Sequence, residues 1–307
     1  MITCLLQGGL GNQLFILFTT IAYAIQNKHP VLFHYTKRIT NRSTSRYTYW
    51  DTFLSALVGL TTSASSLNGL KPIREYKEGQ YNELEKIELN TSAILYGYFQ
   101  SFRYFQDEYY EISRMIGIAE MRYKYNDWFL KNGIDKLNTI SMHVCLSDSK
   151  NGSFDYYKNS LRYIIDQIED TPNITVLYFC EKVDIVEVGR NIAILQNIFT
   201  SCQFRYCNLE SIHNMSPCKM DNISENNLAN EIDANEIPCN YSINQILGNS
   251  DDEMIIMSNC KYNIIANSTF SWWAAYIGYM EDLGQHIVCY PNNTNADLYP
   301  KSWKNIY

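Results

Sequence analysis

The stretch "LLQGGLGNQLFILFTTIAYAI" (residues 5–25) decides how this chain is read, and "NIIANSTFSWWAAYIGYM" (residues 263–280) repeats its logic near the other end. Each is a short apolar run, a tight bend of small residues, then a segment that reads as an amphipathic helix. After the glycines of the first, Leu14, Phe15, Phe18, Ile21, Ala22 and Ile25 recur at helical spacing. "ITCLLQ" ahead of the bend reads as a strand, and "PVLFHY" (residues 30–35) as a second one. Strand, helix and strand in that order form a βαβ unit, which implies a parallel sheet with helices on its faces.

The alternation restarts in the second half, with strand "TISMHVCL" (139–146), a helix around "YYKNSLRYIIDQIED" (156–170) and strand "ITVLYFC" (174–180). Leu161, Ile164, Ile165 and Ile168 keep the helical spacing of a buried face. Between the halves, Tyr104 to Lys131 reads as one helix, and "NGIDKLN" (132–138) ends it with turn formers. A chain of 307 residues exceeds a single typical core. The expected division is therefore an N-terminal Rossmann-like domain, residues 1–136, and a C-terminal one, residues 137–307. Residues 36–92 carry a weaker pattern of polar loops around helical pieces. The polar, Asn-rich stretch at about 196–249 reads as a long excursion from the second domain. The closing order is a helix at "DDEMIIMS" (251–258), a strand at "NIIA" (263–266), the second bend and a last helix.

Hydrophobic residues at 46% and charged residues at 19% are globular proportions. A formal charge of −7 offers no basic face to a polyphosphate, so nucleic acid is excluded as a partner. A small phosphorylated ligand is not excluded, because backbone amides and a few local cations can hold one. No run approaches the ~18 apolar residues of a membrane span, and Thr19, Thr20 and Gln26 interrupt the apolar stretch after Asn12. The N-terminus lacks a signal peptide's basic start and cleavage site, so a cytoplasmic protein is expected. Cys4, Cys145, Cys180 and Cys289 fall in apolar runs and read as buried thiols of a reducing compartment. Cys202, Cys207, His213, Cys218 and Cys239 gather in one polar segment, but their spacings miss the compact pairing of zinc sites, so no metal is expected.

A strand that feeds a helix through small residues leaves the first helical amides unpaired, with the positive end of the dipole behind them. Gly8, Gly9 and Gly11 let a ligand approach the backbone closely, and Asn12 can cap the helix or donate a side-chain hydrogen bond. At the second bend Asn267, Ser268, Thr269 and Ser271 put three hydroxyls and an amide around the helix start. Both bends suit a diphosphate. Either motif alone also occurs without a ligand, and Trp272 and Trp273 read as packing residues. The occurrence of both bends in two α/β halves favours a ligand. A dinucleotide fingerprint would place a third glycine where Leu14 stands and an acid about 20 residues on, and "HPVLFHYTK" (29–37) has no acid. A P-loop would place Gly-Lys-Ser/Thr where Asn12-Gln13 stand. With neither fingerprint and no Asp-x-Asp pair for a metal, the pattern fits a sugar-nucleotide glycosyltransferase of GT-B type.

"GGLGNQLF" (8–15) and "NIIANSTFSWWAAYIG" (263–278) resemble two signatures of the family 11 glycosyltransferases, the α-1,2-fucosyltransferases. "LYGYFQSFRYF" (95–105) and "DLYPKSW" (297–303) resemble weaker segments of that family. The resemblance implies a GT-B-like fold of two Rossmann-like domains facing across a cleft, a GDP-fucose donor, a glycan hydroxyl as acceptor, inversion at the anomeric carbon and no metal. It also implies a site: Gly8, Gly9, Gly11, Asn12 and Gln13 from one half, and His143, Asn267, Ser268, Thr269 and Ser271 from the other. Asn12 and Asp148 are its catalytic candidates, with Asp148 the first choice of acceptor-activating base. The family's His-x-Arg-Arg-x-Asp signature falls on His143 to Asp148, where Cys145 and Leu146 stand in place of both arginines. A thiol and an isobutyl group cannot imitate a bidentate guanidinium. A further Ser-Asp-Asp segment falls on Cys180-Glu181-Lys182. Three expectations follow: Lys150 or Lys182 supplies the missing charge, the donor is another sugar nucleotide, or the protein is a non-catalytic nucleotide-sugar or glycan binder.

Overall fold

A computed structural model describes residues 1–41, 44–64, 66–146, 153–168, 173–207, 243–292, 295 and 297–307. Strand β1 (Ile2–Cys4) runs through the first bend into α1 (Leu10–Gln26), and the chain returns to bridge Ile2 in parallel at Val31. The βαβ unit is therefore present. Strand β2 (Phe33–His34) follows, then a hairpin of β3 (Arg38–Asn41) and β4 (Thr44–Tyr47), then β5 (Thr61–Thr62), which pairs in parallel with β2. Strands β6 (Lys71–Arg74) and β7 (Ala93–Tyr96) complete a three-stranded parallel sheet in the order β1-β7-β6. The weakly patterned region thus hides four short strands, of which β6 belongs to the three-stranded sheet. In β6 only Ile73 is buried, too little apolar repetition to register as a strand.

The helix expected from Tyr104 to Lys131 is instead three pieces, α2 (Tyr109–Ile116), α3 (Ile118–Lys124) and α4 (Asn126–Lys131). Gly117, at φ 82°, breaks the first from the second in a left-handed conformation that suits glycine.

The second half is one six-stranded sheet. Its elements are β8 (Thr139–His143), α5 (Phe154–Ile165), β9 (Ile174–Phe179), α6 (Ile185–Ile198), β10 (Cys202–Tyr206) and α7 (Ile243–Asn259). Then come β11 (Tyr262–Ile264), α8 (Thr269–Glu281), β12 (Ile287–Pro291) and β13 (Lys304–Ile306). The spatial order is β10-β9-β8-β11-β12-β13, parallel throughout. In chain order this is 3-2-1-4-5-6, the doubly wound arrangement, and the order reverses between β8 and β11. Residues 202–206, which the sequence assigns to the Asn-rich excursion, form the edge strand β10 beside β9. Residues 208–242 of that stretch lie outside the described residues.

The two signature helices are not amphipathic. Leu10, Gly11 and Gln13 through Ala24 of α1 are buried, as are Ser271 through Gly278 of α8. A helix that is apolar all round is a central one. These two pack on each other, with Phe15 4.5 Å from Trp272 and Phe18 4.6 Å from Trp273, ring centre to ring centre. Trp273 also stacks on Phe105, and the Trp272 indole donates to the Leu298 carbonyl at 2.8 Å. Both tryptophans are packing residues, as expected. One apolar core runs through α1, α2, α7 and α8, and a second lies between the six-stranded sheet and α5 and α6. The chain thus has the expected α/β organisation, with two parallel sheets joined through α1 and α8. Among the described residues, no helix is long and apolar enough to cross a membrane.

Candidate functional site

The two bends meet. A Cβ placed on Gly11 would lie 2.5 Å from the carbonyl carbon and oxygen of Thr269 and 2.7 Å from the nitrogen of Phe270. The first turn of α1 therefore touches the first turn of α8, backbone to backbone, and only glycine allows it. From there contacts advance in step, Gly11 to Thr269, Phe15 to Trp272 and Trp273, so the helices run side by side in the same direction. Two parallel helix dipoles repel, and their positive ends are brought to one point. An anion there relieves that repulsion.

Each bend is built for openness on one side. Gly8 has φ +71°, and a Cβ on it would strike the Asn12 side chain at 2.4 Å, so the amide of Asn12 folds directly over it. Gly9 precedes α1 with no side-chain cap, and nothing lies within 4 Å of where its Cβ would point. Leu10, Gly11 and Asn12 start the helix, and the first intrahelical bond is from Gln13 N to Gly9 O at 3.0 Å. At the second bend Ser268 caps α8, its Oγ accepting from Phe270 N at 3.3 Å. The bend follows β11 at the C-terminal edge of the sheet, and β11 lies beside β8, with Ile264 opposite Met142. His143 therefore ends β8 at the switch point, its ring 5.7 Å from that of Phe270. In open α/β sheets ligands bind in this crevice, outside the carboxyl ends of the strands.

The structure brings together Gly8, Gly9, Gly11, Asn12, His143, Asn267, Ser268 and Thr269. Gln13 and Ser271, expected to touch a donor, are fully buried behind their bends and shape them instead. The Gln13 amide donates to the carbonyls of Gly8 at 3.0 Å and Tyr47 at 2.8 Å, tying the β3–β4 hairpin to the first bend. The Ser271 hydroxyl lies 3.4 and 3.3 Å from the carbonyls of Ala266 and Ser268. Asp148 and Lys150 lie outside the described residues. Lys182 is exposed on a short turn after β9. Burial pushes the His143 imidazole down to about 4, so it is neutral at pH 7, and its Nδ1 is buried with no partner among the described residues.

Two residues escape the sequence reading. Gln100, four residues past β7, donates from its side-chain amide to Asn12 Oδ1 at 3.0 Å. It stands in "LYGYFQSFRYF", a segment whose resemblance carries no role for it. Glu253 on α7 interacts electrostatically with Cys180, Tyr206 and Cys207, at the carboxyl ends of β9 and β10. Burial, then the neighbouring Asp252, raises its carboxyl to about 7. Its carboxylate has no hydrogen bond among the described residues. A single acid in "DDEMIIMS" gives no sequence signal that separates it from Asp251 or Asp252. Of the two substituted arginine positions, Leu146 lines an apolar pocket with Met142, Val144, Phe154 and Tyr157. Among the described residues no cluster of His, Cys, Asp and Glu could hold a metal ion.

Fold and bends together define a doubly wound α/β chain with an anion-receptive edge at its switch point. The sequence model of glycosyl transferase family 11 matches residues 229–306, which include the second bend and α8. The O-antigen biosynthesis glycosyltransferase WbnK of Escherichia coli is 37% identical over 91 residues, covering 27% of this chain and 26% of that protein. An alpha-1,2-colitosyltransferase of Escherichia coli is 37% identical over 84 residues, 22% of this chain and 29% of that one. These matches are confined to a C-terminal stretch of the chain for the family model, and the matched stretch spans about a quarter of each curated relative. Among solved structures, a variant of Arabidopsis thaliana FUT1 in complex with GDP aligns with a TM-score of 0.46 at 11% identity, over 97% of this chain and 74% of that one. NodZ alpha-1,6-fucosyltransferase soaked with GDP-fucose aligns with a TM-score of 0.46 at 11% identity, over 90% and 92%. Likeness of that degree is too distant to carry a ligand across.

Proposed function

We propose that the protein transfers a sugar, L-fucose from GDP-fucose in the first instance, to a hydroxyl of a glycan acceptor with inversion. The observation that carries this reading is the meeting of two helix N-termini at Gly11 and Thr269, on the carboxyl edge of the doubly wound sheet. In an inverting displacement the acceptor oxygen attacks the anomeric carbon from the face opposite the diphosphate. The glycosidic electron pair leaves with the diphosphate, and a base takes the acceptor's proton. The charge that grows on the leaving group needs fixed donors. The free amides of Leu10 to Asn12, those at the start of α8 and the Asn12 side chain are such donors, so no metal is required by this reading. Asp148 is the proposed base.

Glu253 supports guanine as the base. An ionised carboxylate accepts two parallel N–H bonds, which matches the N1–H and exocyclic amine of guanine, whereas uracil offers one N–H. In relatives by name, one is a colitosyltransferase, so a different hexose on the same nucleotide is within this proposal. The division at residue 136 belongs to it as well, with the six-stranded half holding the donor.

Cys145 and Leu146 favour a second reading, a nucleotide-sugar or glycan binder without turnover. Thermal shift with GDP-fucose, GDP-mannose, UDP-sugars and dTDP-sugars, followed by donor hydrolysis with and without a chelator, separates the two. Stabilisation with turnover supports the enzyme, and stabilisation alone supports the binder. Turnover abolished by chelator would remove metal independence. Asn12→Ala is expected to abolish turnover with little change in melting temperature, and unchanged turnover would take Asn12 out of the site.

A further inference from the structure

The Asn12 side chain can face a ligand in two ways, with its oxygen or with its NH2. The first accepts a hydrogen bond and repels a phosphate, and the second donates to one. What decides is the partner of the other end. Gln100 Nε2 donates to Asn12 Oδ1 at 3.0 Å, which commits the oxygen and leaves Nδ2 over Gly8. Among the described residues Nδ2 has no hydrogen bond of its own.

Gln100 is held where it is by an unusual turn. Phe99, fully buried, sits at φ +52°, and Gly97 at φ +149°. Gly97 adopts its angle freely, but that of Phe99 is one the surroundings must impose. The carboxylate of Glu75, just beyond β6, holds this turn: one oxygen accepts from Tyr98 N at 2.8 Å and Phe99 N at 3.0 Å, and the other from Gly79 N at 3.3 Å. A Cβ on Gly97 would lie 2.5 Å from the Glu75 Cβ, so the turn closes directly on that side chain. On the far side, Asn295 donates to the Gln100 carbonyl at 3.4 Å, and Ser101 Oγ donates to the Asp297 carbonyl at 2.9 Å. The backbone of Gln100 is thus clamped between two segments distant in sequence, and its side chain is directed at one atom of the first bend.

We propose that Gln100 is a positioning residue that fixes Asn12 as a hydrogen-bond donor toward an anionic diphosphate, with Glu75 holding the turn that presents it. This rests on the reading of the bends as a nucleotide-sugar site. It adds that the bend's selectivity for an anion over a neutral hydroxyl is set by a residue outside both signatures.

The test measures GDP and pyrophosphate affinity by calorimetry, together with donor turnover, in the full chain and in Gln100→Glu, Gln100→Leu, Asn12→Ala and the Asn12→Ala/Gln100→Leu double variant. Gln100→Glu is nearly isosteric, but its carboxylate draws Asn12 Nδ2 to itself and turns Oδ1 to the phosphate. Its affinity should fall by roughly tenfold or more, the scale of one lost hydrogen bond to a charged group, at an unchanged melting temperature. Gln100→Leu should weaken binding less. In the Asn12→Ala background Gln100→Leu should cost nothing further, because it acts only through Asn12. A merely structural role would give additive losses. Additive losses, or Gln100→Glu binding as well as the unaltered protein, overturn the proposal while leaving the site reading intact. Failure of the unaltered protein to bind any of the nucleotides overturns the site reading and this inference with it.

Discussion

Three glycines within four positions look alike in the sequence, and the structure gives each a different reason. Gly8 needs its positive φ and the space that Asn12 fills, Gly11 needs the absence of a Cβ against the Thr269 backbone, and Gly9 faces the opening with nothing near it. Replacement therefore separates scaffold from site. In Gly11→Ala the added carbon meets backbone on both sides of a peptide and cannot be absorbed by a rotamer change. A loss of ~1–3 kcal/mol is expected, as for overpacking elsewhere, and should be visible as a lowered melting temperature with or without nucleotide. Gly9→Ala adds a methyl at φ −81°, an ordinary conformation, into open space. Its stability should stay within ~0.5 kcal/mol of the starting protein, while GDP affinity falls because the methyl occupies the phosphate's approach. Equal GDP affinity in Gly9→Ala, measured by calorimetry, would place the diphosphate elsewhere. The three glycines were legible as a bend; their separate roles were not, because two of them depend on what the rest of the chain brings alongside.

Among the elements, strands and helices with strong periodicity were legible, and the misses have local causes. Tyr104 to Lys131 carries helical spacing across Gly117, and spacing alone does not register that one residue adopts φ 82° and divides the helix. The edge strand β10 was hidden by the polar stretch that follows it, since only Cys202 and Phe204 of its five residues are buried. Helix α7 shows how an element can serve scaffold and site at once. Asp251 accepts from Phe53 N at 3.1 Å and thereby ties α7 to the N-terminal half, and burial, opposed by that hydrogen bond, raises its carboxyl to about 7. Glu253, two residues on, is raised to about 7 as well, first by burial. A carboxyl whose folded value lies above its unfolded one favours the fold while protonated. That contribution is complete below the ordinary carboxylate range and is lost as pH rises through about 7. The melting temperature should accordingly decline from pH 5 to pH 8, and Asp251→Asn, which keeps an acceptor for Phe53, should flatten the decline. Nucleotide recognition by Glu253 has the opposite sign, since only the ionised form accepts two N–H bonds. GDP affinity should rise from pH 6 to pH 8 and become flat and weak in Glu253→Gln. A slope in Glu253→Gln equal to that of the unaltered protein would sink the base-recognition role.

At the scale of the whole molecule, the sequence shows two bends of one kind but not that they touch. That contact depends on α1 and α8 being central helices apolar on every side, and neither periodicity nor composition reveals which two helices of a chain share a core. The contact also bears on electrostatics. The chain carries 25 basic and 32 acidic residues, a formal charge of −7, and both arginines expected beside the diphosphate are replaced by Cys145 and Leu146. A site made chiefly of neutral backbone dipoles exerts a short-range pull, while the net charge repels a dianionic nucleotide at long range. Salt then acts on the repulsion more than on the attraction, because the Debye length shrinks from ~30 Å at 0.01 M to ~8 Å at 0.15 M, shorter than the span of the molecule but longer than a hydrogen bond. The association rate of a fluorescent GDP analogue, followed by stopped flow, should therefore increase between those ionic strengths. In a site that relies on arginine it would fall. A falling rate here would assign the attraction to local cations instead, with the exposed Arg46 and the Tyr47-stacked Arg38 of the hairpin tied to the first bend as candidates, and Arg38→Gln with Arg46→Gln would then be expected to remove the salt dependence.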